Sequence, residues 1–117
     1  MSKSPFRERS PIVACTVSGT TYILYTCPVN CVARVPLVFI TNANGTASVE
    51  MKIYKAANTT SYFVIGGKNL ALGEFIQLRD NTGLILEAGD RIEVKATGAT
   101  VNVDALCTVI EQFKPVG

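Results

Sequence analysis

The feature that most constrains this chain is a two-residue alternation of apolar and polar side chains. It is strict in residues 49–54 and 91–96, and residues 101–109 place valine, alanine and cysteine on one side. Successive side chains of a strand point to opposite faces of a sheet, so this period is typical of strands with one buried face. The three runs therefore predict three strands.

Tight turns separate these runs from six others. The other runs are rich in β-branched and aromatic residues, which favour strands, and they cover residues 12–17, 21–26, 33–41, 62–66, 75–79 and 84–87. Glycine and asparagine, which tolerate the positive φ of turns, occur at 18–19, 42–45, 66–69, 81–83, 88–90 and 97–98. No stretch has the 3.6-residue period of a long helix. We therefore predict an all-β fold, a single antiparallel β-sandwich that is jelly-roll-like, with eight or nine strands.

The length of 117 residues fits one domain with its own core. Only the two ends lack strand signals, so we divide the chain into an extended N-terminal arm at 1–11, a sandwich at 12–112 and a C-terminal tail at 113–117. Because nothing in the arm alternates, deleting residues 1–10 is expected to leave the sandwich folded and to weaken assembly.

The small net charge of +2 is concentrated in the arm. Lys3, Arg7 and Arg9 outnumber Glu8 there, and the rest of the chain has eight basic and eight acidic side chains. A basic arm could touch nucleic acid or an acidic protein groove. However, a neutral body offers little potential for neutralising phosphates, so nucleic acid is not expected as the main partner. We interpret the three basic residues as part of an assembly arm.

Hydropathy indicates protein partners rather than a membrane. Hydrophobic residues make up 48% of the chain, charged residues only 17%, and the mean hydropathy is +0.29; a usual soluble domain has about 25% charged residues. The longest apolar runs are far shorter than the roughly 20 residues that span a bilayer. No apolar segment of signal-peptide length follows the basic N-terminus, so we expect the chain to be made and to fold in the cytosol.

The four cysteines give no strong metal signal. They are Cys15, Cys27, Cys31 and Cys107, the chain has no histidine, and a zinc site would need all four thiolates from three separate segments. We expect free, buried thiols. Alternatively, Cys27 and Cys31 could form a disulfide, or join another subunit, if an assembled particle meets an oxidising medium.

The absence of histidine also removes the commonest general base, so Ser-His and Cys-His arrangements are excluded. Paired carboxylates could cut glycosidic bonds or bind calcium. The candidates Glu74, Asp80, Glu87 and Asp90 lie near turns, where acidic side chains usually bond to backbone or meet solvent. We expect no two of them to share a pocket, and we predict no enzyme, no metal, no cofactor and no small-molecule substrate.

Four tyrosines leave a carbohydrate-binding module open as an alternative. Tyr22, Tyr25, Tyr54 and Tyr62 could form a stacking platform if they were exposed on one face. Tyrosine in a sheet is more often a half-buried partner across strands.

Four segments, in this order, resemble small phage virion proteins. They are Tyr-Thr-Cys-Pro at 25–28, a strand ending in Ile-Thr-Asn at 40–42, Val-Glu-Met-Lys-Ile-Tyr at 49–54, and Leu-Glu-Ala-Gly-Asp at 86–90 followed by an alternating strand to 96. The resemblance covers most of the chain, from about 21 to 110. It implies a β-sandwich subunit of the capsid decoration (cement) or tail-associated kind, with no catalytic residues.

Together these observations predict a bacteriophage virion structural protein. We expect a capsid decoration or cement subunit that stabilises the shell, with other copies of itself, as a trimer, and the major capsid or tail proteins as partners. A tail, collar or fibre-adaptor component is the alternative within the virion.

Overall fold

The structure is a computed structural model that describes residues 6–79 and 84–114. These residues form ten strands: β1 (Phe6–Arg9), β2 (Ile12–Cys15), β3 (Thr21–Thr26), β4 (Cys31–Asn42), β5 (Ala47–Lys55), β6 (Thr60–Leu70), β7 (Phe75–Leu78), β8 (Ile85–Leu86), β9 (Arg91–Thr97) and β10 (Val103–Phe113). In this described part, no helical segment could cross a bilayer. Lys3, Asp80 and the predicted turn at 81–83 lie outside the described residues.

The strands form two antiparallel sheets. In the six-stranded sheet, β10 and β4 are central, β1 and β2 pair with one side of β10, and β7 and β8 pair with the far side of β4. The four-stranded sheet has the order β3-β9-β5-β6. Each edge of the six-stranded sheet is one strand split in two, so both sheets are four strands wide.

The chain passes from one sheet to the other at nearly every connection. β1 and β2 lie in the six-stranded sheet, β3 lies in the four-stranded sheet, and β4 lies in the six-stranded sheet again. β5 and β6 follow in the four-stranded sheet, and β7 and β8 in the six-stranded one. The chain then crosses to the four-stranded sheet for β9 and back to the six-stranded sheet for β10. This is the connectivity of a jelly roll. The predicted all-β antiparallel sandwich is confirmed, and its split edges reconcile the ten strands described with the eight or nine predicted.

The inner faces supply the core, as the alternation predicted. β5 buries Ala47, Val49, Met51 and Ile53, and every second residue of β9 and β10 is likewise inaccessible to solvent. Burying a valine, leucine or isoleucine side chain is worth about 1.5–3 kcal/mol. These rows, facing each other across the two sheets, hold the sandwich together.

One irregularity lies in the centre of the six-stranded sheet. The register between β4 and β10 shifts between Thr108 and Ile110, opposite Val35 and Pro36. Proline has no N–H for the ladder and is normally confined to edges and bulges. The extra residue of β4 therefore accommodates Pro36 in a central strand.

The N-terminal region departs from prediction. We expected no strand before Ile12, but Phe6–Arg9 pairs with β10 from Val109 to Gln112. All four residues of β1 are exposed, so no hydrophobic pattern revealed the strand; backbone pairing with the long edge of β10 creates it. Likewise, the first two residues of the predicted tail are bound, since Phe113 ends β10 and the N–H of Lys114 donates to the carbonyl of Asn30 at 2.9 Å.

A buried amide organises one end of the sandwich. Asn42 Nδ2 donates to the carbonyl oxygens of Gly45 at 2.8 Å and Leu70 at 2.9 Å, and Asn42 Oδ1 accepts from the N–H of Asn44. A buried polar group is stable only when it is hydrogen-bonded. Asn42 thus joins the β4–β5 turn to the end of β6.

Candidate assembly interface

The outer face of the four-stranded sheet is charged and internally paired. Lys95 Nζ lies 3.2 Å from Glu50 Oε2, and Arg91 Nη2 lies 3.1 Å from Glu93 Oε2. The Arg91 guanidinium also stacks 4.0 Å above the ring of Tyr54. Exposed charges that satisfy one another in this way are typical of a face that stays in water.

The outer face of the six-stranded sheet has the opposite character, and we call it the apolar face. Its strands pair so that ten apolar side chains point away from the core. They are Phe6, Ile12, Val32, Pro36, Leu37, Phe39, Phe75, Ile85, Leu106 and Ile110.

Several of these side chains are more than half exposed. The exposed fraction is 70% for Ile12 and 57% for both Phe75 and Ile85. Single exposed hydrophobic residues are ordinary, but a contiguous apolar sheet face on a soluble domain marks a surface that binds another molecule. The apolar face is therefore the candidate functional site.

The surface of the apolar face is uneven, with a ridge and two grooves. Near one end, the rings of Phe39 and Phe75 stack with centroids 5.1 Å apart, forming a ridge. Near the other end is a groove of about 190 Å³ whose walls include Arg34, Ile85 and Ile110. A second, shallower groove beside it is lined by Pro36, Leu37, Arg79 and Thr108. A ridge and grooves of this kind can interdigitate with a complementary surface.

A polar cluster fastens β1 to the sandwich at the edge of this sheet. Glu111 continues the inward-facing row of β10 and is fully buried. Arg7 donates to Glu111 Oε1 from Nε at 2.7 Å and from Nη2 at 2.6 Å, and the hydroxyl of Tyr25 donates to Oε2 at 2.5 Å. Burial, together with the hydrogen bond and charge of Glu111, raises the pKa of Tyr25 above its ordinary 10.0. We call this the Arg7–Glu111–Tyr25 cluster.

The sequence analysis did not anticipate this cluster. The signal was present, because the alternation from Val103 onward places Glu111 on the buried side. Of the predicted arm residues, Arg7 lies in the cluster and also 5.2 Å from the ring of Phe113, while Arg9 is exposed opposite Val109. Their role in assembly stays a prediction.

All four cysteines are free and buried, as expected for core thiols. Cys27 Sγ lies 3.4 Å from the carbonyl oxygen of Cys31 and is also near that of Leu86. Burial, and then the neighbouring Cys31, raise the pKa of Cys27 to about 11. Because the thiolate is the reactive form, the raised pKa of Cys27 keeps this thiol almost entirely protonated at neutral pH. Pairing of Cys27 with Cys31 stays a prediction.

Two of the carboxylates considered for chemistry, Asp90 and Glu74, accept hydrogen bonds from backbone groups. Asp90 is buried and accepts from Lys55 Nζ at 2.6 Å and from the N–H groups of Ala56 and Glu87, both at 2.9 Å. Burial alone would raise the pKa of Asp90, but these hydrogen bonds outweigh it and lower the pKa. Glu74 Oε1 accepts from the N–H of Ala71. Within the described ranges, no group of three or more acidic or cysteine side chains could hold a metal ion.

The four tyrosines are not brought to one exposed face. The hydroxyl of Tyr22 accepts from the N–H of Val17 at 3.1 Å, and Tyr25 is buried at Glu111. Tyr54 lies beneath Arg91 on the charged sheet, and Tyr62 is half exposed on the edge strand β6. This placement does not provide the stacking platform that a carbohydrate-binding module would require.

Comparisons with known proteins show solved structures of similar fold but no family. No family model matches the chain, and no curated protein sequence matches it significantly. Among solved structures, it is similar to a chain of Bacillus endospore appendages, described as a novel family of disulfide-linked pili, with TM-score 0.60, 15% identity, and 97% of this chain and 93% of that chain covered.

Two further similar chains come from virus particles. They belong to the T13 particle of infectious bursal disease virus (TM-score 0.56, 10% identity) and to the Gx strain of that virus (TM-score 0.55, 10% identity). The similarity covers 96% and 92% of this chain but 32% of each viral chain, so this chain spans about a third of their length. At these identities the likeness shows a shared fold.

Proposed function

We propose that this protein is a non-enzymatic structural subunit that works by packing against copies of itself and neighbouring proteins in a larger particle. The observation that carries this proposal is the contrast between the two sheets. One outer face carries paired charges beside the exposed Ile23 and Phe63, whereas the other carries ten outward-pointing apolar side chains, four of them more than half exposed. Such a surface suits repeated protein contacts better than chemistry on a small molecule.

The form of this function that we favour is a bacteriophage capsid decoration or cement subunit. The four segments that resemble small phage virion proteins support it, and the jelly-roll fold suits a place in a virus shell. The subunit would be made in the host cytoplasm and would join the virion through contacts with the major capsid protein and with its own copies, as a trimer. A tail, collar or fibre-adaptor position would use the same surfaces.

A subunit of a pilus-like fibre is a second candidate, favoured by one observation. The similarity to the endospore appendage chain covers nearly the whole of both chains, so the two are single domains of similar size. That protein forms disulfide-linked pili, whereas the described cysteines of this chain are buried thiols. A fibre of this chain would therefore be held by non-covalent contacts.

The first test is the solution mass of the purified protein, measured by light scattering with and without reductant, followed by negative-stain electron microscopy. A discrete oligomer that reductant does not change supports a particle subunit, and a trimer or ring favours decoration or collar over fibre. Filaments favour the fibre candidate. Dissociation by reductant would contradict the non-covalent contacts proposed for this chain.

The second test locates the protein in particles from its natural source. Gold-labelled antibodies raised against the purified chain should bind at regular positions on phage capsids if the protein is a decoration subunit. Labelling confined to tails supports the tail alternative, and labelling along fibres supports the second candidate. Absence from every particle and fibre, combined with a strictly monomeric mass, would refute the structural function itself.

A further inference from the structure

We infer that the apolar face is the docking surface for a second copy of this chain, packed face to face about a twofold axis. This inference deepens the proposed function and rests on it, because it assigns one surface to the self-association of a structural subunit. The twofold dimer would be the first step of that association, and the trimer proposed for a decoration subunit would form through other surfaces. Its basis is the size of the face and the positions of its ridge and grooves about its centre.

The face has the area that a stable dimer needs. β10 has 11 residues and runs along the middle of the sheet, so at about 3.4 Å per residue the face is about 37 Å long. Four strands spaced at about 4.8 Å make it about 19 Å wide. Covering it would bury about 700 Å² per copy, or about 1,400 Å² in total, within the range of about 1,200–2,000 Å² for specific interfaces.

The strand register fixes which residues meet. Phe75, Thr41 and Asp104 form one row across the sheet, and Ile85, Arg34 and Ile110 form another. The two rows lie at equal distances on either side of Cys107 along β10. A twofold axis that lies in the interface, perpendicular to the strands and level with Cys107, therefore places each row opposite the other row of the second copy.

This arrangement fits ridge to groove. Phe75 of one copy would lie over Ile85 of the second copy, since β7 and β8 share one edge of the sheet. Phe39, which pairs with Leu106, would lie over Leu37, which pairs with Thr108. The stacked phenylalanine ridge of each copy thus enters the grooves of the other, and symmetry repeats the contact.

The same operation positions the charged side chains of the face. Asp104 would lie over Ile110 of the second copy, between Arg34 and Glu8 of that copy, which flank Ile110 on the two neighbouring strands at about 4.8 Å each. Neither Asp104 nor Arg34 takes part in an ion pair among the described residues of its own chain. Because one of these neighbours is basic and the other is acidic, their charges balance, and the area of the face together with the fit of ridge to groove favours a second copy.

The decisive experiment compares two matched substitutions on opposite faces. Ile85→Asp changes a side chain that is 57% exposed on the apolar face, and Ile23→Asp changes one that is 52% exposed on the charged face of β3. Sedimentation velocity over a concentration series gives the dissociation constant of each dimer, and circular dichroism checks that each variant is folded. We expect Ile85→Asp to raise the constant about 100-fold or more, because each dimer contains the change twice, and Ile23→Asp to leave it unchanged.

A charge swap tests the orientation separately. Arg34→Asp alone would leave Asp104 between two acidic side chains of the second copy, so it should weaken the dimer. Adding Asp104→Arg places an arginine between those two acids and should bring the dissociation constant back to the wild-type value or below it. A double variant that is as weak as Arg34→Asp would overturn the twofold arrangement.

These outcomes separate the inference from the proposed function. If the wild type forms oligomers or particles that Ile85→Asp leaves intact, the apolar face is not the self-association surface, while the structural function stands. If the wild type is monomeric at every concentration but is found on particles, the face binds another protein and the inference is wrong. The structural function fails only if the protein is both monomeric and absent from particles.

Discussion

Replacing Arg7 by methionine should destabilise the fold, although Arg7 lies on an exposed edge strand. The change keeps a long side chain but removes the cation beside Glu111, which is 0% exposed, whereas the Arg7 side chain is 46% exposed. Breaking a fully buried ion pair costs about 3–5 kcal/mol. Because the Arg7 side chain is partly exposed, water can replace part of the interaction that Glu111 loses. We therefore expect the free energy of unfolding to fall by about 1–3 kcal/mol.

The assay is urea unfolding at pH 7, followed by circular dichroism. Arg9→Met is the matched control, since Arg9 is an exposed arginine of the same strand, and its effect should stay within about 0.5 kcal/mol. The double variant Arg7→Met with Glu111→Met replaces the buried pair by apolar side chains. It should be more stable than Arg7→Met alone, because no uncompensated carboxylate remains in the core.

Two results would refute this reasoning. The first is an equal loss of stability for Arg7→Met and Arg9→Met, which would mean that Glu111 does not depend on Arg7. The second is a double variant whose loss is the sum of the single losses, which would show no coupling between the two side chains. The cluster also modifies the expectation for deleting residues 1–10, since that deletion removes Arg7 and should cost at least as much as Arg7→Met.

Three other predictions test the packing and the titratable groups. A Cβ on Gly98 would lie 2.8 Å from the carbonyl oxygen of Thr46, so Gly98→Ala should lower the free energy of unfolding by about 1–3 kcal/mol. A Cβ on Gly66 meets nothing within 4 Å, so Gly66→Ala should be nearly neutral. Equal thermal midpoints for the two variants would contradict this prediction. The lowered pKa of Asp90 means that its contribution to stability is present above the ordinary value of 3.8 and is lost as the pH falls below it. The stability difference between wild type and Asp90→Asn in urea should therefore shrink below about pH 4, and a constant difference would count against it. Burial raises the pKa of Cys107 from 9.0 to about 12. The contribution of this buried thiol to the free energy of unfolding is therefore present below pH 9 and is lost as the pH rises through the folded value. A free energy of unfolding that does not fall between about pH 9 and 11 would contradict this.

The sequence predicts strands best where one face is buried and the other is wet. β5 and β9 alternate strictly, and both lie in the centre of the four-stranded sheet with a charged outer face. β4 is harder to recognise, because both of its faces carry apolar residues and the bulge at Pro36 shifts its period. β1 carries no pattern at all, since its formation depends on the edge offered by a strand about a hundred residues later.

The functional surface was less predictable than the fold. The low charged fraction indicated partners, but it did not say which face they contact. Leu106 and Ile110 stand at the polar positions of the β10 alternation, and β4 carries apolar residues on both faces; these were the local signs of an apolar outer face. Phe6, Ile12 and Ile85 join that face only through strand pairing over long distances in the chain, which periodicity cannot reveal.

The split edges of the six-stranded sheet limit how copies of this chain can associate. β1 and β2 are separated by Ser10 and Pro11, and β7 and β8 are separated by residues 79–84. Each edge therefore offers only short stretches of free backbone groups, and a proline interrupts one of them, so another strand cannot add along the full length. Open-ended, amyloid-like stacking from these edges is therefore disfavoured. This matters at the high local concentration that a subunit present in many copies reaches before it is assembled.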